Sequence, residues 1–357
     1  MNNKINNSLV WFRRDLRLYD HNALFQALKN SGAVYCCFIF DSKILNELNN
    51  KMDRRIDFIW HSLKEIKADL NKLGSDLIVE TGDPIVIIPS LIKKYKCSAL
   101  FINKDYERYA IDRDKKISKI LAKNNTQLNK YKDQVIFEEK EILTQNATPY
   151  TVFTPYRNNH LKKIFNEGIT QFDCESYKDN FAKFNFRPLL TLKNIGFKKT
   201  NLSAINLQAG TKGGLILIED FKKRIQNYDT NRNFPGTKGV SYLSVHNRFG
   251  TISIRHLAKI ALTNGSQGSS TWLNELIWRD FYFQILSNFP HIQDGKSFKL
   301  KYNNLKFEND EAKFKAWTTG NTGFPIVDAG MRQLNSTGYM HNRLRMIIAC
   351  FLVKDLL

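Results

Sequence analysis

Residues 1–138 of this 357-residue chain alternate short apolar runs with stretches of helical periodicity. The apolar runs predict five strands, at Leu9–Phe12, Val34–Phe40, Asp76–Glu80, Ala99–Asn103 and Val135–Glu138. The helical stretches between them are Asn22–Asn30, Arg54–Leu73, Pro84–Lys96 and Ala110–Asn124. This alternation predicts an α/β domain with a doubly wound, mostly parallel sheet. No GxGxxG follows the first strand, so the dinucleotide-binding fingerprint is absent from it.

The pattern changes in the rest of the chain. Residues 139–200 lose the alternation and predict a long connection between domains. Residues 201–357 contain no convincing strand and predict an all-α domain. Its helices are expected at Gly214–Tyr228, Ile254–Thr263, Thr271–Asn288, Asp310–Thr318, Pro325–Ser336 and Met340–Leu357, with Ser253 and Ser270 as N-caps. The last helix reaches Leu357 without a C-cap glycine or polar tail, so we expect this domain to be incomplete.

Two of these helices carry charged and aromatic residues where a plain core would place Leu or Ala. The residues share one face in each helix, at spacings i, i+3, i+4 and i+7: Glu275, Trp278, Arg279 and Tyr282, and then Asn342, Arg345, Met346 and Ala349. Flanking positions are apolar, as if protein surrounded both helices. Because buried carboxylates, guanidiniums and amides are costly unless paired or used, these faces are predicted to line a cavity.

The chain is strongly basic, with 54 Lys and Arg against 34 Asp and Glu and a net charge of +20. A basic surface attracts polyanions and makes their binding salt-dependent. Lysine bias from an AT-rich genome is the alternative explanation. The five cysteines lack CxxC or His spacing and predict buried thiols, with neither a disulfide frame nor a metal site. The N-terminus lacks an apolar signal core and Met346–Val353 is too short to span a bilayer, so we expect a cytoplasmic protein without membrane contact.

Three strings resemble the DNA photolyase/cryptochrome family: LVWFRRDLRLYDHNAL at Leu9–Leu24, YLSVHNRFGTIS at Tyr242–Ser253 and GYMHNRLRM at Gly338–Met346. The last string is similar to the microbial members that repair cyclobutane pyrimidine dimers. The resemblance covers nearly the whole chain and is weakest between Val135 and Phe221. It implies that residues 1–138 form an antenna-binding domain and residues 201–357 a helical FAD-binding domain.

The resemblance also implies a set of FAD-binding residues. These are Tyr228, Ser241, Leu243, Ser244, Trp272, Glu275, Arg279, Asn342 and Arg345. Read on its own, the stretch 236–244 offers glycine turns, hydroxyl donors and a cation, which suits a phosphate site but also an ordinary loop. Arg279 and Arg345 are cations that would favour an anionic, reduced flavin. The alternatives are an i, i+4 ion pair of Arg279 with Glu275 and a helix-surface cation at Arg345.

The implied activity is light-driven repair of ultraviolet-damaged DNA, in which reduced FAD donates an electron to a flipped-out dimer. The resemblance assigns catalysis to Glu275, Asn342 and Trp278, and DNA contacts to Arg232, Trp278, Arg343 and Met346. Core packing is the alternative role for Trp278. A cryptochrome-type flavin photoreceptor and an inactive truncated relative that cannot hold FAD are the competing functions. A monomer is expected.

Four positions depart from the family pattern. A folate antenna (methenyltetrahydrofolate) would use an Asn-Glu pair where this chain has Tyr109 and Ala110. Asn103 and Glu107 lie close enough in the sequence to substitute, whereas Gln293 stands where a basic residue is expected. Phe307 occupies the place of the outermost tryptophan of the photoreduction chain. Because Phe is far harder to oxidise than Trp, we do not expect photoreduction by that route.

Overall fold

The strand–helix alternation at the start of the chain forms one parallel sheet, in a computed structural model that describes residues 5–356. Its strands are β1 (Ile5–Phe12), β2 (Ser31–Asp41), β3 (Leu77–Gly82), β4 (Ala99–Asn103) and β5 (Gln127–Tyr131). They lie in the order β3-β2-β1-β4-β5. Leu9 is opposite Tyr35 on one side and Leu100 on the other. The strand order therefore reverses at β1, as in a doubly wound fold.

Helices cover both faces of this sheet. They are α1 (Asn22–Asn30), α2 (Ser42–Asn46), α3 (Arg54–Lys72), α4 (Pro84–Lys94) and α5 (Arg108–Ala122). Apolar residues of α1 and α3 pack in one core cluster with β1 and β2, and those of α4 and α5 pack in another. The α/β architecture predicted from the sequence is thereby confirmed.

The fifth strand was predicted at the wrong place. Residues 127–131 form β5, although their sequence QLNKY has no apolar run, because an edge strand leaves most of its side chains partly exposed. The apolar run at 135–138 has a different partner. The backbone N–H groups of Ile136 and Phe137 donate to Oδ2 of Asp280 in the helical part of the chain, at 2.8 and 3.2 Å. Its apolar side chains are buried against helices and not in the sheet.

The connecting segment contains a helix that its sequence did not predict. This helix, α6 (Phe153–Glu167), buries Tyr156, His160 and Ile164, which lie four residues apart. Pro155 is tolerated because it stands in the first turn, where its missing N–H has no helical acceptor. Beyond α6 the chain returns to the α/β domain, where the Ala182 N–H donates to the Val34 carbonyl at 2.9 Å.

The rest of the described chain is helical, as predicted. The helices are α7 (Gly210–Lys222), α8 (Tyr228–Asn231), α9 (Ser244–Phe249), α10 (Ile254–Asn264), α11 (Gln267–Asn288), α12 (Glu311–Thr319), α13 (Pro325–Thr337) and α14 (Asn342–Lys354). Short 3-10 turns occupy Glu175–Asn180, Ile225–Asn227, Pro290–Asp294 and Leu300–Tyr302.

One of the two predicted N-caps is correct. The Ser253 hydroxyl accepts the Arg255 N–H at 3.1 Å at the start of α10. Ser270 is inside α11, whose N-cap is Ser266, accepting the Ser269 N–H at 3.1 Å. The first turn of α11 is polar, so apolar periodicity appears in the sequence only from Trp272 onward and hides the true start.

The helical part has two separate hydrophobic cores. Helices α6, α7, α10 and α11 share the larger core with the 135–138 segment. Helices α12–α14 form a smaller core from Val327, Met331, Met340, Leu344, Ile348 and Phe351. We call α12–α14 the terminal helices. The predicted site residues on α11 and on α14 therefore belong to helices of different cores.

A buried ionic network joins the α/β domain to α10. Asp133 binds Arg17 and Arg255 at 2.8 Å each, and Arg255 also binds Asp20 at 3.0 Å. All four side chains are almost fully buried. Burial alone would raise the pKa of Asp133, but the Arg17 and Arg255 guanidiniums hold it well below its usual range.

Four cysteines are buried as predicted, and the fifth is not. Cys36, Cys37, Cys97 and Cys174 lie inside the protein, whereas Cys350 is exposed on α14. The prediction failed there because the apolar sequence around Cys350 does not distinguish a covered helix face from an open one. Between Ile5 and Leu356, none of the helices has the length and apolar character needed to cross a membrane.

Candidate functional site

Glu275 of α11 forms an ion pair with Arg232, which follows α8. The Arg232 Nη1 atom lies 2.6 Å from Glu275 Oε1, and the two side chains are 18% and 31% exposed. The guanidinium also lies over the Tyr228 ring, 5.3 Å from its centroid. Burial lowers the pKa of Arg232, but the hydrogen bond to Glu275 more than offsets this and raises it. The considered pair of Glu275 with Arg279 is therefore replaced by a pair with Arg232.

The first turn of α14 lies beside this pair. Arg343 Nε donates to Asn233 Oδ1 at 3.1 Å, and Asn233 is the residue after Arg232. The rings of Tyr242 and Tyr339 pack at 5.4 Å, which brings residues 241–244 against the segment that leads into α14. Burial, with Tyr242 beside it, raises the pKa of Tyr339 to about 12. Residues far apart in the sequence thus converge around Glu275.

Some predicted flavin residues form an apolar and aromatic wall. Tyr228, Leu243 and Trp272 are buried in the larger helical core. Trp272 packs edge-on against Phe221 with ring centroids 4.8 Å apart. Burial raises the pKa of Tyr228 to about 12, so this phenol stays neutral at ordinary pH. These side chains provide fixed surfaces rather than charge.

Other predicted residues provide unused polar groups. Ser244 begins α9 and is exposed, as are Asn342 and Arg345 on α14. Arg345 Nε donates to the Met340 carbonyl at 3.0 Å, and its two terminal nitrogens bind nothing within residues 5–356. Met346 is 57% exposed on the same face of α14. The face predicted to line a cavity is therefore open on its α14 side in the part of the chain described.

Arg279 does not join this group. Its guanidinium donates to the Gln134 carbonyl and lies 4.7 Å from the Phe283 ring centroid, at the boundary with the α/β domain. Burial lowers the pKa of Arg279 to about 10; Asp280 opposes this and Arg14 adds to it. A role for Arg279 at the flavin stays a prediction.

Trp278 stacks on a residue that the sequence did not single out. Its ring lies parallel to that of Phe153, with centroids 3.6 Å apart and an interplanar angle of 6°. Tyr282, one helical turn further on, stacks on Trp278 with ring centroids 5.5 Å apart, and its side chain is 62% exposed. The available signal was the string FTPYRNN at 153–159, which lies within the segment predicted to be a connection.

The residues around Glu275 fit FAD. A flavin dinucleotide needs donors for its phosphates and hydroxyls and flat apolar surfaces for its rings. Within residues 5–356, the side chains of Ser244 and Asn342 and the two terminal nitrogens of Arg345 have no hydrogen-bond partner, so they are available as donors. Tyr228 and Trp272 offer aromatic surface. Ser241, whose hydroxyl accepts the Leu243 N–H only at 3.5 Å, has capacity to spare.

The residues considered for a folate antenna are bound within the protein. The Asn103 amide donates to Asp15 at 2.7 Å, and Glu107 accepts from Arg14 at 2.7 Å. Gln293 Oε1 accepts the Arg108 N–H at 2.7 Å. A folate antenna stays a prediction, and each of these three side chains already has a hydrogen-bond partner within the protein.

A parallel α/β domain joined to a helical part that fits FAD defines a two-domain flavoprotein. Comparison with known proteins agrees: residues 8–174 match the DNA photolyase domain, and residues 272–357 match the FAD-binding domain of DNA photolyase. Deoxyribodipyrimidine photo-lyase from Synechococcus is 33% identical over 98% of this chain and 74% of its own length. The Escherichia coli enzyme of that name is 32% identical over 98% and 75%. The chain belongs to the DNA photolyase family, and the predicted enzyme class is confirmed.

Solved structures resemble this one closely. The class III photolyase of Agrobacterium tumefaciens superposes with a TM-score of 0.88 at 30% identity, over 99% of this chain and 74% of that one. A cryptochrome from Synechocystis superposes with a TM-score of 0.85 at 25% identity, over 100% and 76%. A photolyase and a cryptochrome therefore both share the fold of this chain.

Proposed function

We propose that this protein uses light and bound FAD to split cyclobutane pyrimidine dimers in ultraviolet-damaged DNA. The observation that carries this proposal is the Arg232–Glu275 pair, which is linked through Asn233 and Arg343 to the first turn of α14, where Asn342 lies. The family membership supports DNA repair in general. The choice of dimer as lesion rests on the residues around Glu275.

The dimer must leave the duplex to reach these residues. Arg232 holds Oε1 of Glu275, whereas Oε2 has no hydrogen-bond partner in the described chain and can accept an N–H from the edge of a flipped pyrimidine. The Asn342 amide can donate to a pyrimidine carbonyl oxygen. Met346 offers its thioether to the apolar face of the lesion. Arg343, exposed and held by Asn233, is suited to a flanking phosphate.

The chemistry that bound, reduced and photoexcited FAD supplies is the transfer of one electron to the dimer and its recovery after the ring has opened. The protein's share is orientation and electrostatics. Because Arg232 fixes the Glu275 carboxylate at one oxygen, this carboxylate can orient the lesion with little reorganisation during the reaction. Ser241, Ser244 and Arg345 are proposed to hold the cofactor from the side facing α14.

Trp278 is proposed as the aromatic platform for the lesion. Phe153 covers one of its faces and the exposed Tyr282 is stacked beside it, so a flipped base would stack on the part of the indole that these two rings leave open. Stacking of a base on an aromatic side chain contributes roughly 1–3 kcal/mol to binding. The role of Phe153 would be to fix the angle of the indole.

A flavin photoreceptor is the second candidate, favoured by the structural likeness to the Synechocystis cryptochrome. The two functions predict the same bound cofactor and differ in chemistry on DNA. Only repair uses the Oε2 atom of Glu275 and the amide of Asn342.

A photorepair assay tests the proposal. The purified chain is first examined by absorbance for bound FAD, then reduced and mixed with an oligonucleotide that contains one thymine dimer. Illumination should restore the undamaged oligonucleotide, with no change in the dark. Bound FAD without light-dependent repair would favour the photoreceptor, and absence of FAD would contradict both candidates for this chain.

A further inference from the structure

A groove lies on the α/β domain, between α3 and the segment 191–199 of the connection. Its volume is about 880 Å³, and its floor is formed by Trp60, Leu192 and Phe197. Four lysines line it: Lys64, Lys193, Lys198 and Lys199. We call it the lysine groove. Its lining contains no Asp or Glu.

The charges of the lysine groove are unused within the protein. Within residues 5–356, the four amino groups form neither hydrogen bonds nor ion pairs, and Lys64 Nζ lies 5.8 Å above the Trp60 ring. Asp57, whose carboxylate lies 3.5 Å from the His61 ring, is buried and accepts the N–H and hydroxyl of Thr200 at 2.7 and 2.6 Å. It therefore offers little neutralisation at the surface.

The pKa of His61 reflects the positive charges inside the lysine groove. Burial lowers its pKa, Asp57 opposes this, and Lys64 and Lys199 lower it further. Lysines from α3 and from the connection therefore both influence the same imidazole ring. A neighbouring cavity of about 410 Å³ also contains Glu65 and Asp69, so it is less suited to an anion.

The lysine groove is connected to the candidate lesion site. Asn201, two residues after Lys199, donates to the Ser336 carbonyl at 3.2 Å, and Arg54 donates to the same oxygen at 2.6 Å. Ser336 precedes Arg343 by seven residues. At no more than about 3.5 Å for each residue, and with the Asn201 side chain and its hydrogen bond added, the path from Lys199 to Arg343 is at most roughly 40 Å. One turn of B-DNA is about 34–36 Å long, so the lysine groove lies little further than one turn from Arg343 at most.

We propose that the lysine groove binds the phosphate backbone of the duplex that flanks the lesion, within about one helical turn of it. This inference rests on the proposed function, because the lesion at Glu275 fixes where the flanking DNA begins. Lysine is a flexible point charge that suits phosphates. The stems of Lys64 and Lys193 can lie on the aromatic floor while their amino groups reach the backbone.

Salt dependence of binding tests the inference. The triple variant K193Q/K198Q/K199Q is compared with K93Q/K119Q/K123Q, which removes three exposed lysines of α4, α5 and the residue after α5, on the opposite face of the sheet. Both are made in the FAD-loaded chain. Each lost phosphate contact lowers the slope of log affinity against log salt by about 0.9. For the triple groove variant, the slope of log affinity against log salt is therefore expected to be smaller by up to about 2.7. The control variant should keep the slope of the unmodified chain.

Between about 50 and 200 mM salt, the unmodified chain should accordingly lose roughly 40-fold more affinity than the groove variant. The difference should be largest on a duplex that extends beyond one turn on both sides of the lesion, and should shrink as the duplex is shortened towards the lesion. Equal slopes for the groove variant and the control on the long duplex would overturn the inference. The proposed function is tested by a separate result: it fails if the unmodified chain does not bind damaged DNA more tightly than undamaged DNA. The salt slope can be measured on both kinds of DNA, so the two failures can be told apart.

Discussion

The two attachments that hold the candidate site together are built differently. The α/β domain is fixed to α10 by Asp133, Arg17 and Arg255, all inaccessible to water. The terminal helices are joined to their neighbours through the exposed bonds of Arg54 to Ser336 and Arg343 to Asn233, and by the Tyr242–Tyr339 contact. Removing one partner of a buried ion pair costs about 3–5 kcal/mol, whereas an exposed pair contributes about 0–1 kcal/mol.

This difference divides the site. Glu275 and Trp278 stand on α11, which belongs to the strongly held part, and Asn342 and Met346 stand on α14 in the weakly held part. Changes at the first attachment should affect the whole fold. Changes at the second should affect mainly how α14 faces Glu275.

The largest effect is expected from Asp133→Asn. It leaves Arg17 and Arg255 buried without their common carboxylate, and we expect a loss of about 3–5 kcal/mol in the free energy of unfolding, measured with urea. Asp112→Asn, at an exposed carboxylate 3.9 Å from its nearest basic partners, is the control and should change stability by less than about 0.5 kcal/mol. Similar stabilities of the two variants would remove the contrast between the attachments.

Acidification should lower the free energy of unfolding through His246, a buried residue of α9 that packs against α3 of the α/β domain. Burial lowers the pKa of His246 to about 4, and its ring packs against Phe58 of α3 at 5.3 Å. Because the folded pKa is below the unfolded value of about 6.5, the contribution is complete above pH 6.5 and is lost as the pH falls towards 4. We expect a loss of about 3 kcal/mol over this range, measured by unfolding at each pH. His246→Gln should flatten this dependence; an unchanged profile would argue against His246 as its source.

Glu275→Ala should lower the yield of repair for each absorbed photon while FAD remains bound. Loss of a hydrogen bond to a charged group is worth about 1.5–3 kcal/mol, or roughly 10- to 150-fold. Glu275→Gln keeps the shape and should retain part of the yield. Absorbance of FAD is the control, and an undiminished yield in Glu275→Ala would remove this carboxylate from the mechanism.

Trp278→Ala should weaken binding of damaged DNA by about 1–3 kcal/mol and leave binding of undamaged duplex unchanged. Phe153→Leu is the informative second variant, since it retains an apolar contact but not the parallel ring. We expect a smaller loss of the same selectivity from it. Equal losses on both DNAs would instead indicate a folding defect.

The smallest effect is expected from Arg54→Ala in the weak attachment. Its bonds to Asn201 and Ser336 are exposed, so the free energy of unfolding should fall by at most about 1 kcal/mol. Hydrogen exchange of α14 should increase while that of α11 does not. Equal changes in both helices would mean that the terminal helices are coupled to the larger core more tightly than their contacts indicate.

The sequence predicted the elements whose periodicity is local. Strand β4 and helix α1 have the predicted bounds, because a buried strand and an amphipathic helix both appear in the order of apolar residues. Strand β5 and helix α6 were missed, since an edge strand can be polar and α6 buries only three residues. The predicted grouping around Glu275 came from family strings, whereas its pairing with Arg232 and the stacking of Trp278 on Phe153 depend on contacts between distant residues.

The stack of Phe153 on Trp278 has a consequence for exchanging parts between relatives. Phe153 belongs to the connection, so a chimera that takes its helical part from another protein and joins it after residue 167 would pair a foreign tryptophan with this phenylalanine. A junction before residue 139 would keep each ring with its native counterpart. Of the two hybrids, the second should preserve the geometry of the platform.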